Sequence, residues 1–149
     1  MRNWDVTSVT DRTNMFENCN DLTNIDVTGM KLGRNLSGLF YEASMVTSIT
    51  GLNDLTVGIV TDTSYMFYNC NKLKFDSIVP FLQKINSVMV TNMSRMFNNV
   101  ELTDANVQTI CEMYNNIPSI DILGSQSFLT DINIIEPILD KADWSTLTD

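Results

Sequence analysis

The 149-residue chain contains no histidine. That absence removes Ser-His-Asp and Cys-His catalysis, the zinc-protease motif and every His-containing metal site. Cations are scarce as well: nine Lys and Arg face eighteen Asp and Glu, giving a net charge of −9 and a pI near 4.2. Phosphate binding needs a surplus of Lys and Arg, so no nucleic acid is expected as a partner. No apolar run approaches the roughly 18 residues of a membrane span, so no membrane insertion is expected. Phosphate loop, nucleophile elbow and dinucleotide fingerprint are all missing. No pair of carboxylates is marked out by its spacing as an acid/base couple. The chain therefore reads as a non-enzyme with no cofactor and no metal.

What is present suits a folded domain. Hydrophobic residues make up 44% of the chain, with two Trp, four Tyr and seven Phe, enough for one core. Asn, Thr and Ser (17, 16 and 12 residues) dominate the polar positions and favour turns and caps over helix interiors. Charge is unevenly placed: residues 1–100 carry nine acids and eight bases, whereas 101–149 carry nine acids and only Lys141. The chain accordingly divides near residue 100.

Self-comparison gives the strongest signal. Val9-Thr-Asp-Arg-Thr-Asn-Met-Phe16-Glu-Asn-Cys-Asn-Asp-Leu22 recurs as Val60-Thr-Asp-Thr-Ser-Tyr-Met-Phe67-Tyr-Asn-Cys-Asn-Lys-Leu73. A third copy begins Val90-Thr-Asn-Met-Ser-Arg-Met-Phe97, and a degenerate one reads Asn35-Leu-Ser-Gly-Leu-Phe40. The Phe anchors lie 24, 27 and 30 residues apart, within the range of stacked-repeat architectures. Thr10, Thr61 and Thr91 sit where helix N-caps would be, ahead of a short helical turn carrying an inward apolar pair. The predicted core is thus Met15/Phe16, Leu39/Phe40, Met66/Phe67 and Met96/Phe97. Strands such as Leu22-Thr-Asn-Ile25-Asp-Val27 should follow, with Asn24, Asp26, Ser48, Thr50, Lys74 and Asp76 facing outward as a candidate binding face.

The remaining reactive groups read as structural. Cys19 and Cys70 share a repeat position two steps apart, roughly 10 Å at strand spacing, too far for a disulfide. They are expected as structural thiols. Asp26, Asp62 and Asp76 are expected at turns or exposed strand positions in solvated or capping roles. Asn18-Cys-Asn20-Asp21 lacks the glycine and terminal Glu of a calcium loop.

Val-Thr-Asn-Met-Ser-Arg-Met-Phe and Met-Phe-Tyr-Asn-Cys-Asn-Lys-Leu resemble the BspA-type leucine-rich repeat of bacterial surface and phage proteins. The resemblance covers about residues 3–100 and departs at Gly33-Arg34, Arg12, Thr63 and residues 76–89. It implies an α/β leucine-rich-repeat solenoid of about four short-strand/short-helix repeats, the first incomplete. Residues 101–149 are expected to form an acidic helical cap: a helix from Thr103 to about Asn115, a strand at Ile120–Leu123, and two short helices over 130–144. Leu102-Thr-Asp-Ala-Asn-Val-Gln-Thr-Ile-Cys-Glu-Met and Ala142-Asp-Trp-Ser resemble the cap that follows such repeats in phage-borne proteins.

The implied function is a non-catalytic interaction module. In one reading it is an accessory or structural virion component contacting virion proteins or the host surface. The alternative is a fragment of an exported bacterial surface adhesin that binds host protein or glycan. No apolar signal segment lies in Met1–Thr10, which favours the virion. The chain opens partway through a repeat, so the end around Trp4 and Val6 is expected to be an assembly face covered by another chain. If so, the isolated chain self-associates and Trp4→Lys makes it more monomeric. Light scattering across a concentration series checks this; a chain that stays monomeric contradicts it.

Overall fold

A computed structural model describes residues 11–85 and 89–113. Its core is a ladder of phenylalanines. Phe16, Phe40, Phe67 and Phe97 stack in sequence with ring centroids 5.5, 5.6 and 5.9 Å apart and planes within 10° of parallel. Leu39, Met66 and Met96 are fully buried beside them, while Met15, in the first rung, is half-buried. The predicted apolar pairs therefore do face inward.

The backbone around each Phe explains how rungs can stack so closely. In the first segment, the N–H groups of Asn14, Phe16 and Asn18 donate to the carbonyls of Ser37, Leu39 and Tyr41 at 3.2, 2.9 and 2.9 Å. The intervening Met15 and Glu17 donate backward within the segment, to Arg12 and Asn14. The alternation continues upward: Leu36, Gly38, Phe40 and Glu42 donate to Asp62, Ser64, Met66 and Tyr68, and Thr63, Tyr65, Phe67 and Asn69 to Asn92, Ser94, Met96 and Asn98. Half the N–H groups close local turns and half join neighbouring rungs, so these buried backbone donors are satisfied.

This arrangement overturns the expected α/β leucine-rich-repeat solenoid of four strand-plus-helix repeats. The described residues contain two strands, β1 (Asn24–Asp26) and β2 (Ser48–Thr50), paired in parallel with Asn24 opposite Ser48 and Asp26 opposite Thr50. They contain two α-helices, α1 (Val79–Leu82) and α2 (Asp104–Met113). No Phe anchor lies on a helix. The reason is local: the residues two before and two after each Phe have positive φ, at Asn14/Asn18, Gly38/Glu42, Tyr65/Asn69 and Arg95/Asn99. A left-handed residue ends each turn after one i→i−3 bond, so a right-handed helix cannot propagate.

The caps differ too. Thr61 and Thr91 do not cap helices; their hydroxyls and N–H groups reach Arg34 O and Thr61 O on the preceding rung. The turns are instead closed by the next residue. Oδ1 of Asp11, Asn35, Asp62 and Asn92 accepts from the N–H of Thr13, Ser37, Ser64 and Ser94 at 2.8–3.1 Å. Asn and Asp favour this bond to the backbone two residues on.

The third strand is replaced. Phe75 is buried where Asn24 and Ser48 are exposed, and the chain forms a 3₁₀ turn at Phe75–Ser77 that leads into α1. Pro80 suits the first turn of α1 because its missing N–H has no intrahelical partner there. Ile78, Phe81, Leu82 and Ile85 then fill the core, with Phe75 edge-on to Phe97 at 5.5 Å. Lys84 Nζ donates to Asn53 O, and Asn53 Nδ2 to Ser77 O at 2.9 Å, tying this segment to the 3₁₀ turn Leu52–Asp54.

Helix α2 begins where expected. Thr103 Oγ1 accepts from Asn106 N–H at 3.2 Å while Asn106 Oδ1 accepts from Thr103 N–H at 3.0 Å, a reciprocal N-terminal closure. Its buried Val107, Ile110 and Cys111 belong to the same apolar cluster as the phenylalanines. Trp4, Val6, Thr10 and the elements expected over 114–149 lie outside the described residues; in place of the expected helical cap these show the single helix α2.

Two substitutions test the ladder. Phe67→Ala removes a fully buried ring between two others and is expected to cost about 3–5 kcal/mol. Thr63 is also fully buried, and its hydroxyl has no hydrogen-bond partner among the described residues. Thr63→Val removes that orphan with little change of shape and is expected to stabilise by about 1 kcal/mol. Urea denaturation of both variants gives the two shifts; a lowered midpoint for Thr63→Val contradicts the orphaned hydroxyl.

Candidate functional site

The expected outward strand face is only partly assembled. Asn24 Nδ2 donates to Ser48 Oγ at 2.7 Å and Thr50 Oγ1 at 3.0 Å, so these three side chains are engaged with one another across β1 and β2. Asp26, beside them on β1, accepts from Thr28 N–H at 2.9 Å and closes a turn. Lys74 and Asp76 do not belong to a strand. Lys74 precedes the 3₁₀ turn and Asp76 lies in it, accepting from Asn106 Nδ2 at 2.8 Å. The six residues form no common site, because the chain turns into a 3₁₀ helix at Phe75–Ser77 instead of adding a third strand beside β2.

Other expected candidates are equally committed. Asn20 Oδ1 accepts from both Ser44 N–H and Ser44 Oγ, so the Asn18–Asp21 corner is an inter-rung tie. Asp62, a turn-capping acid as expected, holds Ser64 N–H, Ser64 Oγ and Asn92 Nδ2. Among the described residues no group of three or more His, Cys, Asp or Glu could hold a metal. No described helix is long and apolar enough to cross a membrane.

A different surface gathers reactive shape. Tyr41 and Tyr68, each immediately after its Phe, stack with centroids 4.9 Å apart and planes 6° from parallel. Tyr65 leans against both, at 6.2 and 5.7 Å. All three are half-buried. With Asn14, Glu17 and Arg95 they line an open groove of about 510 Å³. Burial, followed by the charge of Glu42, pushes the Tyr41 hydroxyl above its ordinary value, so it stays a neutral donor in ordinary buffers.

Local sequence explains the columns. The position after each Phe reads Glu17, Tyr41, Tyr68, Asn98, and the position two before reads Asn14, Gly38, Tyr65, Arg95. Gly38 leaves its place in the second column without a side chain: a Cβ there would overlap the Asn14 carboxamide, and its φ is +62°. Five of the eight positive-φ positions flanking the Phe anchors carry Asn or Gly, which tolerate that conformation. The three exceptions are Glu42, Tyr65 and Arg95. A side chain with a Cβ costs about 1–2 kcal/mol in the left-handed region. Two of the exceptions line the groove, and the third, Glu42, acts on Tyr41. The sequence carries one signal for this cluster, Tyr directly after Phe in two successive copies, at Tyr41 and Tyr68.

The site and ladder define a class first: a domain of stacked, Phe-anchored turns carrying a tyrosine groove and no assembled acid/base or metal constellation among the described residues. Residues 1–110 match the family described as Mycoplasma protein of unknown function, DUF285, and the chain belongs to that family. No curated protein and no solved structure matches it.

The three cysteines are free thiols of unequal access. Cys70 Sγ points at Phe40 O, 3.1 Å away, and burial pushes its thiol up to about 12. Burial disfavours the thiolate, so Cys70 reacts only when the fold opens. At pH 8, a disulfide-exchange reagent should modify half-exposed Cys19 rapidly and spare Cys70 and Cys111 until denaturant is added. Mass spectrometry of the labelled peptides reads the order; fast native labelling of Cys70 contradicts its burial.

Proposed function

We propose that the chain is a non-catalytic interaction module that takes its partner in the tyrosine groove. The observation that carries this is the placement of strained backbone: among the described residues, bulky or charged side chains occupy left-handed positions only around the three tyrosines. Strain of this kind is retained where surrounding structure and function over-determine it. Tyrosines are rigid, amphipathic contact residues that lose little conformational entropy on binding, which suits a preformed recognition surface.

The setting that best accommodates this is a bacterial surface, where the module acts as an adhesin. A virion component, implied by the C-terminal resemblance, is the second reading. The test is binding to intact cells. Fluorescently labelled chain is expected to be retained saturably on epithelial cells and displaced by excess unlabelled chain, with no turnover in hydrolase and transferase panels. Absence of saturable retention, or measurable turnover, overturns the reading.

A further inference from the structure

We infer that the tyrosine groove is a saccharide site; this rests on the interaction-module reading above. Three features of the groove select the ligand class. Tyr41, Tyr65 and Tyr68 pack on one another but are only half-buried and line the groove, so the aromatic surface left open there can meet the C–H face of a sugar, with the tyrosine hydroxyls for its polar edge. The polar lining mixes acceptors with donors: the Glu17 carboxylate, the Asn14 carboxamide and the Arg95 guanidinium. Sugar hydroxyls donate and accept at once and match such a mixture.

The same features disfavour other classes. A protein partner anchors an apolar side chain in an enclosed, desolvated pocket, whereas this groove is open along the surface. Nucleic acid requires a basic track, and Arg95 is the only cation in the lining, with Glu17 opposing it in charge. The groove spans all four Phe rungs, from Glu17 on the first to Arg95 on the last, so a short oligosaccharide fits its length better than a single ring.

Arg95 is the residue that separates recognition from folding. Its position in the first rung is held by Asn14, a residue at ease with positive φ. Arg95→Asn therefore relieves backbone strain while deleting the guanidinium. The full chain is applied to a printed array of defined neutral, amino and acidic oligosaccharides, and the retained members are titrated by calorimetry. Wild type is expected to retain at least one oligosaccharide. Tyr41→Ala and Tyr68→Ala are expected to weaken it tenfold or more. Arg95→Asn is expected to weaken it at least fivefold while its melting temperature is unchanged or higher, which a purely structural role would not produce. An array without retention, or affinity unchanged in all three variants, overturns the proposal. If cell retention persists after periodate and glycosidase treatment, the saccharide assignment falls and the interaction-module reading stands. If cell retention is absent as well, both fall.

Discussion

Each rung of this molecule depends on dividing its backbone donors between two directions. A stack of tight turns would bury unpaired N–H groups unless every other one left its own turn, and here Phe16 reaches Leu39, Phe40 reaches Met66 and Phe67 reaches Met96. Once those bonds are in place the phenyl rings are held 5.5–5.9 Å apart and nearly parallel, with no long strand or helix required. The side-chain ties between rungs, such as Asn20 to Ser44 and Asn99 to Asn69, follow the same spacing. The abundance of Asn, Ser and Thr is explained by this: short polar side chains close turns locally and join rungs laterally.

The price of the arrangement is conformational. Two left-handed residues per anchor are needed, and Asn or Gly supplies most of them. Departures at Glu42, Tyr65 and Arg95 coincide with the tyrosine cluster, so the surface best suited to a ligand is also where the backbone is least relaxed. At Glu42 and Tyr65 the ladder tolerates this because both residues are bonded through N–H and carbonyl alike. Tyr65 N–H donates to Ser94 O, and Tyr65 O accepts from Tyr68 N–H.

Several elements were legible in the sequence for physical reasons. The inward Met-Phe pairs recur at fixed offsets, and a recurrent large apolar pair in a polar chain has nowhere to go but the core. Helix α2 carried its own start signal in Thr103 and its apolar face in Val107, Ile110 and Cys111. Arg12 and Thr63, which stand where an apolar residue was expected, are buried all the same, so spacing outweighed residue type there. The binding face was not legible. Alternation suggested a third strand through Lys74 and Asp76; the in–out pattern holds there, but the backbone closes into a 3₁₀ turn at Phe75–Ser77, with Phe75 edge-on to Phe97, and no strand forms.

By itself the sequence determined the period, the identity of the buried anchors and the turn-rich character of the chain. These depend on residue type and spacing along one strand of polymer. Tertiary structure decided whether each anchor sat on a helix or a turn, because the left-handed residues at Asn14 and Asn18 gain from bonds that exist only when the next rung is present. It decided the fate of Asn24, Ser48 and Thr50 as well, since their hydrogen bonds cross between segments 24 and 26 residues apart. The groove belongs to the same category: Tyr65 and Tyr68 share a rung, but Tyr41 meets them only when two rungs stack.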